Sequence, residues 1–270
     1  MSLMLATTWD PRGELSRFAR LMPQFKEVYS GLVMVVPPAV HQPVMRTLNE
    51  IAGREWHAHR NGMVVLESSD WSAGRYLAVK MAVNQEPAFV QYADCDRLLR
   101  WVETHPTEWR QVAERSQHSE CLIVGRTPAA YATHPQALIK TEAISNYIVS
   151  HWLGRIMDVS AGVKSFSLEA AHFLAQYTSP GKAFGTDAEW PILLQRAGFQ
   201  VDYLEVDGLE WESADRFRDQ AADRVSQREV AHAYDADPEN WAYRTAVTLE
   251  IVQAGLEAAR RKLPLRGGLP

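Results

Sequence analysis

Short apolar runs that alternate with stretches of helical spacing constrain this chain more than any other feature. Leu3 to Thr8 is apolar and is stopped by the Asp10-Pro11-Arg12-Gly13 turn cluster, the mark of a buried strand. Leu15, Phe18, Ala19 and Met22 then recur at the spacing of one helix face within Glu14 to Phe25. Gly31 to Val36 reads as a second buried strand, ended by Pro37-Pro38, and Gln42 to Ala52 as a helix. Further strands are expected over Glu55 to His59, Met63 to Glu67, Phe89 to Ala93 and Cys121 to Gly125. Between them Ala73 to Asn84, Arg97 to Glu103 and Thr107 to Ser116 read as helices, the last two parted by His105-Pro106. Such alternation predicts an α/β protein with a largely parallel sheet covered on both faces.

The second half is more helical. Pro135 to Leu153, Leu168 to Tyr177 and Ala188 to Ala197 carry helical patterns, Phe199 to Val206 reads as a late strand, and Val230 to Lys262 is mostly helix, interrupted near Pro238. No repeat or Pro-, Gly- or Ser-rich linker divides the 270 residues, so one domain is expected. A hydrophobic fraction of 46% with 23% charged residues is that of a globular chain. A net charge of -5 supplies no basic field and argues against nucleic acid as a partner. Arg260-Arg261-Lys262 is read as a solvated helix end. The two cysteines, Cys95 and Cys121, fit a reducing cytoplasm, and Met1 to Thr8 lacks the basic leader of a signal peptide. The longest apolar runs, such as Gly31 to Pro38, fall far short of a bilayer span, so a cytoplasmic protein without a transmembrane segment is expected.

In an open α/β sheet, ligands bind outside the carboxyl ends of the strands. Two features fall there: Thr7-Thr8-Trp9-Asp10 after the first strand and Asp94-Cys95-Asp96 after Phe89 to Ala93. Two carboxylates one residue apart at a strand end repel unless a divalent cation joins them, and hard oxygen ligands suit Mg2+ or Mn2+ bridging a diphosphate. The plainer reading of the triplet is a solvated acidic turn at the start of the next helix. Cys95 is expected to point away from the carboxylates and fill the core.

The context of the triplet is Gly74-Arg75-Tyr76-Leu77-Ala78-Val79-Lys80, then Phe89-Val90-Gln91-Tyr92-Ala93-Asp94-Cys95-Asp96-Arg97-Leu98-Leu99-Arg100-Trp101. This resembles the GT-A fold of nucleotide-diphospho-sugar glycosyltransferases, family 2-like enzymes in particular. The resemblance covers the order of elements over about residues 3 to 205, with its specific motifs in 74–101 and 160–198. It implies a mostly parallel central sheet flanked by helices: a nucleotide-binding half over 1–127, an acceptor half over 128–210 and a helical C-terminal region over 211–270. It further implies a nucleoside-diphosphate sugar as donor, with Mg2+ or Mn2+ as cofactor. Asp94 would lie at the ribose or the metal and Asp96 on the metal; Arg75 would touch the base or a phosphate, and Thr7, Thr8 and Asp10 would line the base pocket.

In the second half, Asp158-Val159-Ser160-Ala161-Gly162 is similar to the small-residue loop beside the donor sugar in that family, so Gly162 is counted with the donor site. Thr186-Asp187-Ala188-Glu189 is similar to the acidic motif that supplies a base. Asp187, with Glu189 next, would accept the acceptor hydroxyl's proton in an inverting transfer. The same four residues also suit the first turn of any helix. His232 is the candidate third metal ligand, with Glu212 and Asp215 as alternatives. Trp9 and Trp211 are the tryptophans expected to face the cleft.

The acceptor is unspecified: a small molecule, a glycan or a lipid-linked molecule. Two other readings keep the fold. A sugar-phosphate nucleotidyltransferase would open with a Gly-rich loop, and Thr7 to Gly13 holds a single Gly. A catalytically weak or inactive nucleotide-sugar-binding protein would need no base.

Overall fold

The structure, a computed structural model, describes residues 1–38, 40, 42–56, 62–70, 72–178, 181 and 183–264. Seven strands form one sheet: β1 (Leu3–Thr8), β2 (Gly31–Val36), β3 (Met63–Glu67), β4 (Phe89–Asp94), β5 (Cys121–Arg126), β6 (Val163–Ser167) and β7 (Val201–Val206), in the order β3-β2-β1-β4-β6-β5-β7. The first four run parallel, and β5 pairs parallel with β7. β6 lies antiparallel between β4 and β5.

Alternation along each strand sorts the core into two faces. Leu3 and Leu5 of β1 join Leu32, Met34 and Val36 of β2 beneath α1 (Leu15–Val28), α2 (Gln42–Glu55), α4 (Cys95–Thr104) and α5 (Pro106–Ser116). Met4 and Ala6, with Val33 and Val35, face α3 (Gly74–Val83), α8 (Leu168–Tyr177) and α9 (Thr186–Ala197). The short α6 (Pro128–Tyr131) leads into α7 (Gln136–Leu153), and α10 (Arg224–Asp235) and α11 (Pro238–Arg260) end the described fold. Pro238 stands at the first turn of α11, where its missing N–H costs nothing.

The sequence reading departs from this in three places. The strand expected over Glu55 to His59 does not start where foreseen, since Glu55 closes α2; residues 57–59 lie outside the described residues. α4 begins at Cys95 and not near Arg97, so the middle of the acidic triplet is already helical. β6 was not foreseen. Its Lys164 and Ser165 are polar yet fully buried, because Lys164 reaches Asp187 and Ser165 accepts from the Ser116 hydroxyl at 2.8 Å.

The order of the sheet sets the site. From β1 the chain goes to β2 and β3 on one side and to β4 and beyond on the other, so the crevice opens at the carboxyl ends of β1 and β4. Register puts Thr8 opposite Asp94 across that crevice, with Val35 on the other flank.

Candidate donor and acceptor cleft

The cleft at this switch point is lined by Thr8, Trp9, Asp10, Val36, Pro37, Ser68 and Gly74 towards β2. Asp94, Asp96 and Arg97 form its floor, and Trp211, Glu212, Arg216, Tyr234, Tyr243 and Arg244 come from the C-terminal region. Trp9 and Trp211 both line it while only 3% and 2% exposed, so each belongs to core and wall at once.

Asp94 is fixed from three sides. Arg75 donates to its Oδ2 at 2.7 Å and the Tyr92 hydroxyl to its Oδ1 at 2.5 Å, with the Thr8 hydroxyl 2.8 Å from Tyr92. The Arg75 guanidinium also lies over the rings of Tyr92 and Phe184, at 5.5 and 5.3 Å from their centroids. Both Asp94 oxygens are thus engaged by protein donors, which suits a ligand-positioning group better than a metal ligand. Gly162 explains how the carboxylate fits. It has φ 72°, and a Cβ there would lie 2.6 Å from Asp94 Oδ2. Gly162 therefore abuts Asp94 from behind and is not itself among the lining residues.

Asp96 is in a different state. Its Oδ1 accepts the Arg97 N–H at 2.9 Å, and no side-chain cation within salt-bridge distance pairs with it among the described residues. Burial first, then the carboxylates of Glu212 and Asp94, push its pKa up to about 7, with Arg97 offsetting part of the effect. Glu212 sits opposite, its Oε2 buried without a hydrogen-bond donor and 3.6 Å from Arg97 Nε.

Several expected residues lie elsewhere. Thr7 is buried and donates to the Ala93 carbonyl at 2.6 Å, tying β1 to β4 instead of facing a base. Asp187, 3% exposed, is absent from the cleft wall; it accepts from Lys164 at 2.7 Å and from Arg75 at 3.3 Å. Burial alone would raise its carboxyl, but Lys164 and then Arg75 outweigh that and hold it below the usual range. A carboxylate so paired is a weak proton acceptor; it is the counter-ion that aims Arg75. Glu189 is equally buried, accepting from the Tyr76 hydroxyl and pairing with Arg261 at 2.9 Å.

His232 is exposed on α10, in a separate recess with His134, Gln227 and Asp235, so it does not complete a site with Asp96. Asp215 is buried between Arg17 at 3.0 Å and Arg100 at 2.7 Å, and is a structural anion. Among the described residues, no three His, Cys, Asp or Glu side chains gather into a metal-binding group. Cys95 is buried core, its thiol driven well up by burial.

Sequence reasoning missed Tyr92, Lys164, Arg216 and Arg244. Lys164 and Tyr92 gave no signal because each sits within a strand. Arg216 and Arg244 lie in the C-terminal region, where no motif was read.

The irregular segment after β7 reaches the cleft because ion pairs clamp it. Arg100 of α4 holds Glu210 and Asp215, each at 2.7 Å, while Arg17 of α1 adds Glu103 at 2.7 Å to its bond with Asp215. Glu212 and Arg216 are carried on the segment so fixed.

No family model and no curated protein matches this chain. Solved structures do. A glucosyl-3-phosphoglycerate synthase from Mycobacterium tuberculosis, in complex with Mn2+, uridine diphosphate and phosphoglyceric acid, superposes with a TM-score of 0.53 at 9% identity over 97% of this chain and 80% of its own. A mycobacterial protein superposes with a TM-score of 0.50 at 10% identity, over 91% of this chain and 75% of its own. Among the described residues no helix is long and apolar enough to cross a membrane. The mixed seven-stranded sheet, its switch-point cleft and these neighbours together identify the architecture as the GT-A-like fold of nucleotide-diphospho-sugar transferases.

Proposed function

We propose that the protein is an enzyme that transfers a glycosyl group from a nucleoside-diphosphate sugar bound in this cleft. The observation that carries the reading is the pair Asp96 and Glu212, two cleft carboxylates poorly neutralised by the protein itself. Their hard oxygen donors, one of them buried without a hydrogen-bond donor and held, among the described residues, only by the ion pair with Arg97 at 3.6 Å, would fit Mg2+ or Mn2+, with the remaining positions left to a diphosphate and water. When bound, such an ion would neutralise charge on the departing nucleoside diphosphate. The neighbour that holds Mn2+ with uridine diphosphate supports the assignment.

The chain's own residues do the rest. Thr8, Trp9, Asp10 and Ser68 wall the end of the cleft next to β2 and receive the nucleoside. Asp94, held rigid by Arg75, Tyr92 and Lys164-anchored Asp187, accepts hydrogen bonds from the ribose or donor sugar. Rigidity of this kind places the donor without reorganisation during transfer. Asp187 is not given the role of base, because it lies behind Arg75. That burial is also the one observation that favours a binding protein without turnover.

Thermal-shift titration with UDP-, GDP- and ADP-sugars, with and without Mn2+, tests the reading. A ligand at a hundred times its dissociation constant stabilises the native state by about 2.7 kcal/mol. Metal-dependent stabilisation that disappears in Asp96→Ala is expected. If no nucleotide stabilises the protein under any metal condition, the reading fails; donor-hydrolysis assays then separate an enzyme from a binding protein.

A further inference from the structure

Most cations lining the cleft already have partners. Arg12 pairs with Asp10, Arg17 with Glu103 and Asp215, and Arg75 with Asp94 and Asp187. Arg97 donates to the Ser160 and Ala161 carbonyls and lies beside Glu212. Arg216 differs. It lines the cleft, is exposed, and has no carboxylate or carbonyl partner among the described residues.

The backbone fixes Arg216 in that place. Its neighbour Phe217 is an aromatic residue at φ 63°, a left-handed conformation that bulky side chains avoid, and it is 76% exposed, so packing of its ring does not compensate. Phe217 donates its N–H to the Arg12 carbonyl at 3.2 Å. Gly13, at φ 106°, adopts a conformation strained for any side chain, and a Cβ there would lie 3.2 Å from Phe217 Cα, a tight contact. On the other side, Asp215 is clamped by Arg17 and Arg100. Strain maintained by contacts on both sides of one exposed arginine points to a use for that arginine.

A second guanidinium faces the same region. Arg244 of α11 lines the cleft, spends one nitrogen on Glu142, and keeps its Nε buried without an acceptor. Tyr234 lines the cleft with both. Burial raises its hydroxyl, and both Arg244 and Arg216 draw it back down. These groups come from the C-terminal region, whereas the Thr8 and Ser68 wall assigned to the nucleoside comes from the N-terminal half of the chain.

We propose that Arg216 and Arg244 bind an anionic group, a phosphate or a carboxylate, on the molecule that accepts the glycosyl group. This rests on the donor reading for the word acceptor, but the anion site itself does not. Guanidinium groups suit such oxyanions because their forked donors match the geometry.

The test is calorimetric titration of the full chain with glycerol 3-phosphate, glycerate and glycerol, and separately with UDP and Mn2+. The wild type, Arg216→Ala and Arg216→Lys are compared. The wild type is expected to bind at least one of the two anions and not glycerol. Arg216→Ala should weaken that anion about tenfold or more, Arg216→Lys should retain part of it, and UDP affinity should stay within about twofold. Because Arg216 is exposed, neither variant is expected to disturb folding.

Anion binding that is absent from the wild type, or equal in the wild type and Arg216→Ala, overturns the proposal. So does a loss of UDP affinity matching the loss of anion, which would assign Arg216 to the donor diphosphate. If UDP and other nucleotides fail to bind while the anion still depends on Arg216, the glycosyl-transfer reading falls and the anion site stands.

Discussion

Asp187→Asn separates a structural carboxylate from a catalytic one. Asp187 is 3% exposed and Lys164 1%, and their 2.7 Å contact is the only carboxylate pairing that Lys164 makes among the described residues. Removing the charge leaves Lys164 with the Val159 carbonyl at 3.2 Å. Arg75 suffers less, because Asp94 stays with it at 2.7 Å. Breaking a buried pair by removing one partner costs about 3–5 kcal/mol. With Arg75 still paired, the lower end of that range is expected, about 3 kcal/mol. For a chain of this size that lowers the melting temperature by roughly 6–12 °C.

The penalty should depend on pH. A carboxyl whose folded pKa lies below its unfolded value stabilises the native state above the unfolded pKa and stops doing so as pH falls through the folded one. Lys164 and Arg75 hold Asp187 low, so the difference between wild type and variant should be complete at pH 7 and shrink below about pH 4. Thermal unfolding followed by circular dichroism at both pH values measures it. A second variant, Lys164→Met with Asp187→Asn, removes both buried charges and should recover most of the loss. An Asp187→Asn protein that melts within about 2 °C of the wild type, no more than the shift from about 1 kcal/mol, would refute the buried-pair argument. If it also lost all transfer activity, Asp187 would return as the base.

Asp96→Asn should have the opposite sign. With the Asp96 pKa raised to about 7, its charged form destabilises the metal-free protein, a cost absent below about pH 4 and complete above about pH 7. The variant should melt higher than the wild type at pH 8, the gain should fade towards pH 5, and Mn2+ should stabilise only the wild type. Gly162→Ala drives a Cβ to 2.6 Å from Asp94 Oδ2 at a φ of 72°. It should cost about 1–3 kcal/mol and weaken UDP binding, measured by calorimetry; unchanged affinity would contradict the placement of Asp94 in the donor site. Arg100→Met leaves Asp215 to Arg17 and Glu210 to the exposed Arg224. With those partners retained, it should cost about 3 kcal/mol, the lower end of the range for a broken buried pair, and increase proteolysis within 209–222, read by limited trypsin digestion and mass spectrometry.

The acidic triplet was legible because its position follows from an apolar strand and a following helix, both of which depend on local pattern. The roles of its two carboxylates were not legible. They differ because Arg75 and Tyr92 occupy Asp94, while Asp96 meets Glu212 from 116 residues further along the chain. β6 escaped notice because a buried lysine breaks the apolar pattern that marks a buried strand, and only its contact with Asp187 makes that lysine tolerable. Thr186-Asp187-Ala188-Glu189 was rightly seen as the start of a helix, α9. Its side chains turn inward, towards Lys164 and Tyr76, and periodicity alone does not report that direction. His232 was chosen for its residue type. The segment that actually reaches the cleft, around Glu212 and Arg216, is irregular and has no period to read.

The clamped segment resolves an apparent conflict in the electrostatics of the cleft. It brings Glu212 towards Asp96, which raises the repulsion there, and it brings Arg216 to the cleft with no carboxylate or carbonyl partner among the described residues. Neither placement helps the empty protein fold. Both are maintained by buried pairs, Arg17 and Arg100 with Asp215, that are already satisfied without either side chain. Folding energy from the clamp therefore holds uncommitted charge of both signs in one cleft. A divalent cation with a diphosphate complements Asp96 and Glu212, and an acceptor oxyanion complements Arg216. The prediction common to all three is that saturating metal, nucleotide and anion should each raise the melting temperature, and that their combined effect should exceed the sum of the three. Strictly additive shifts would mean that the charges act as separate surface sites.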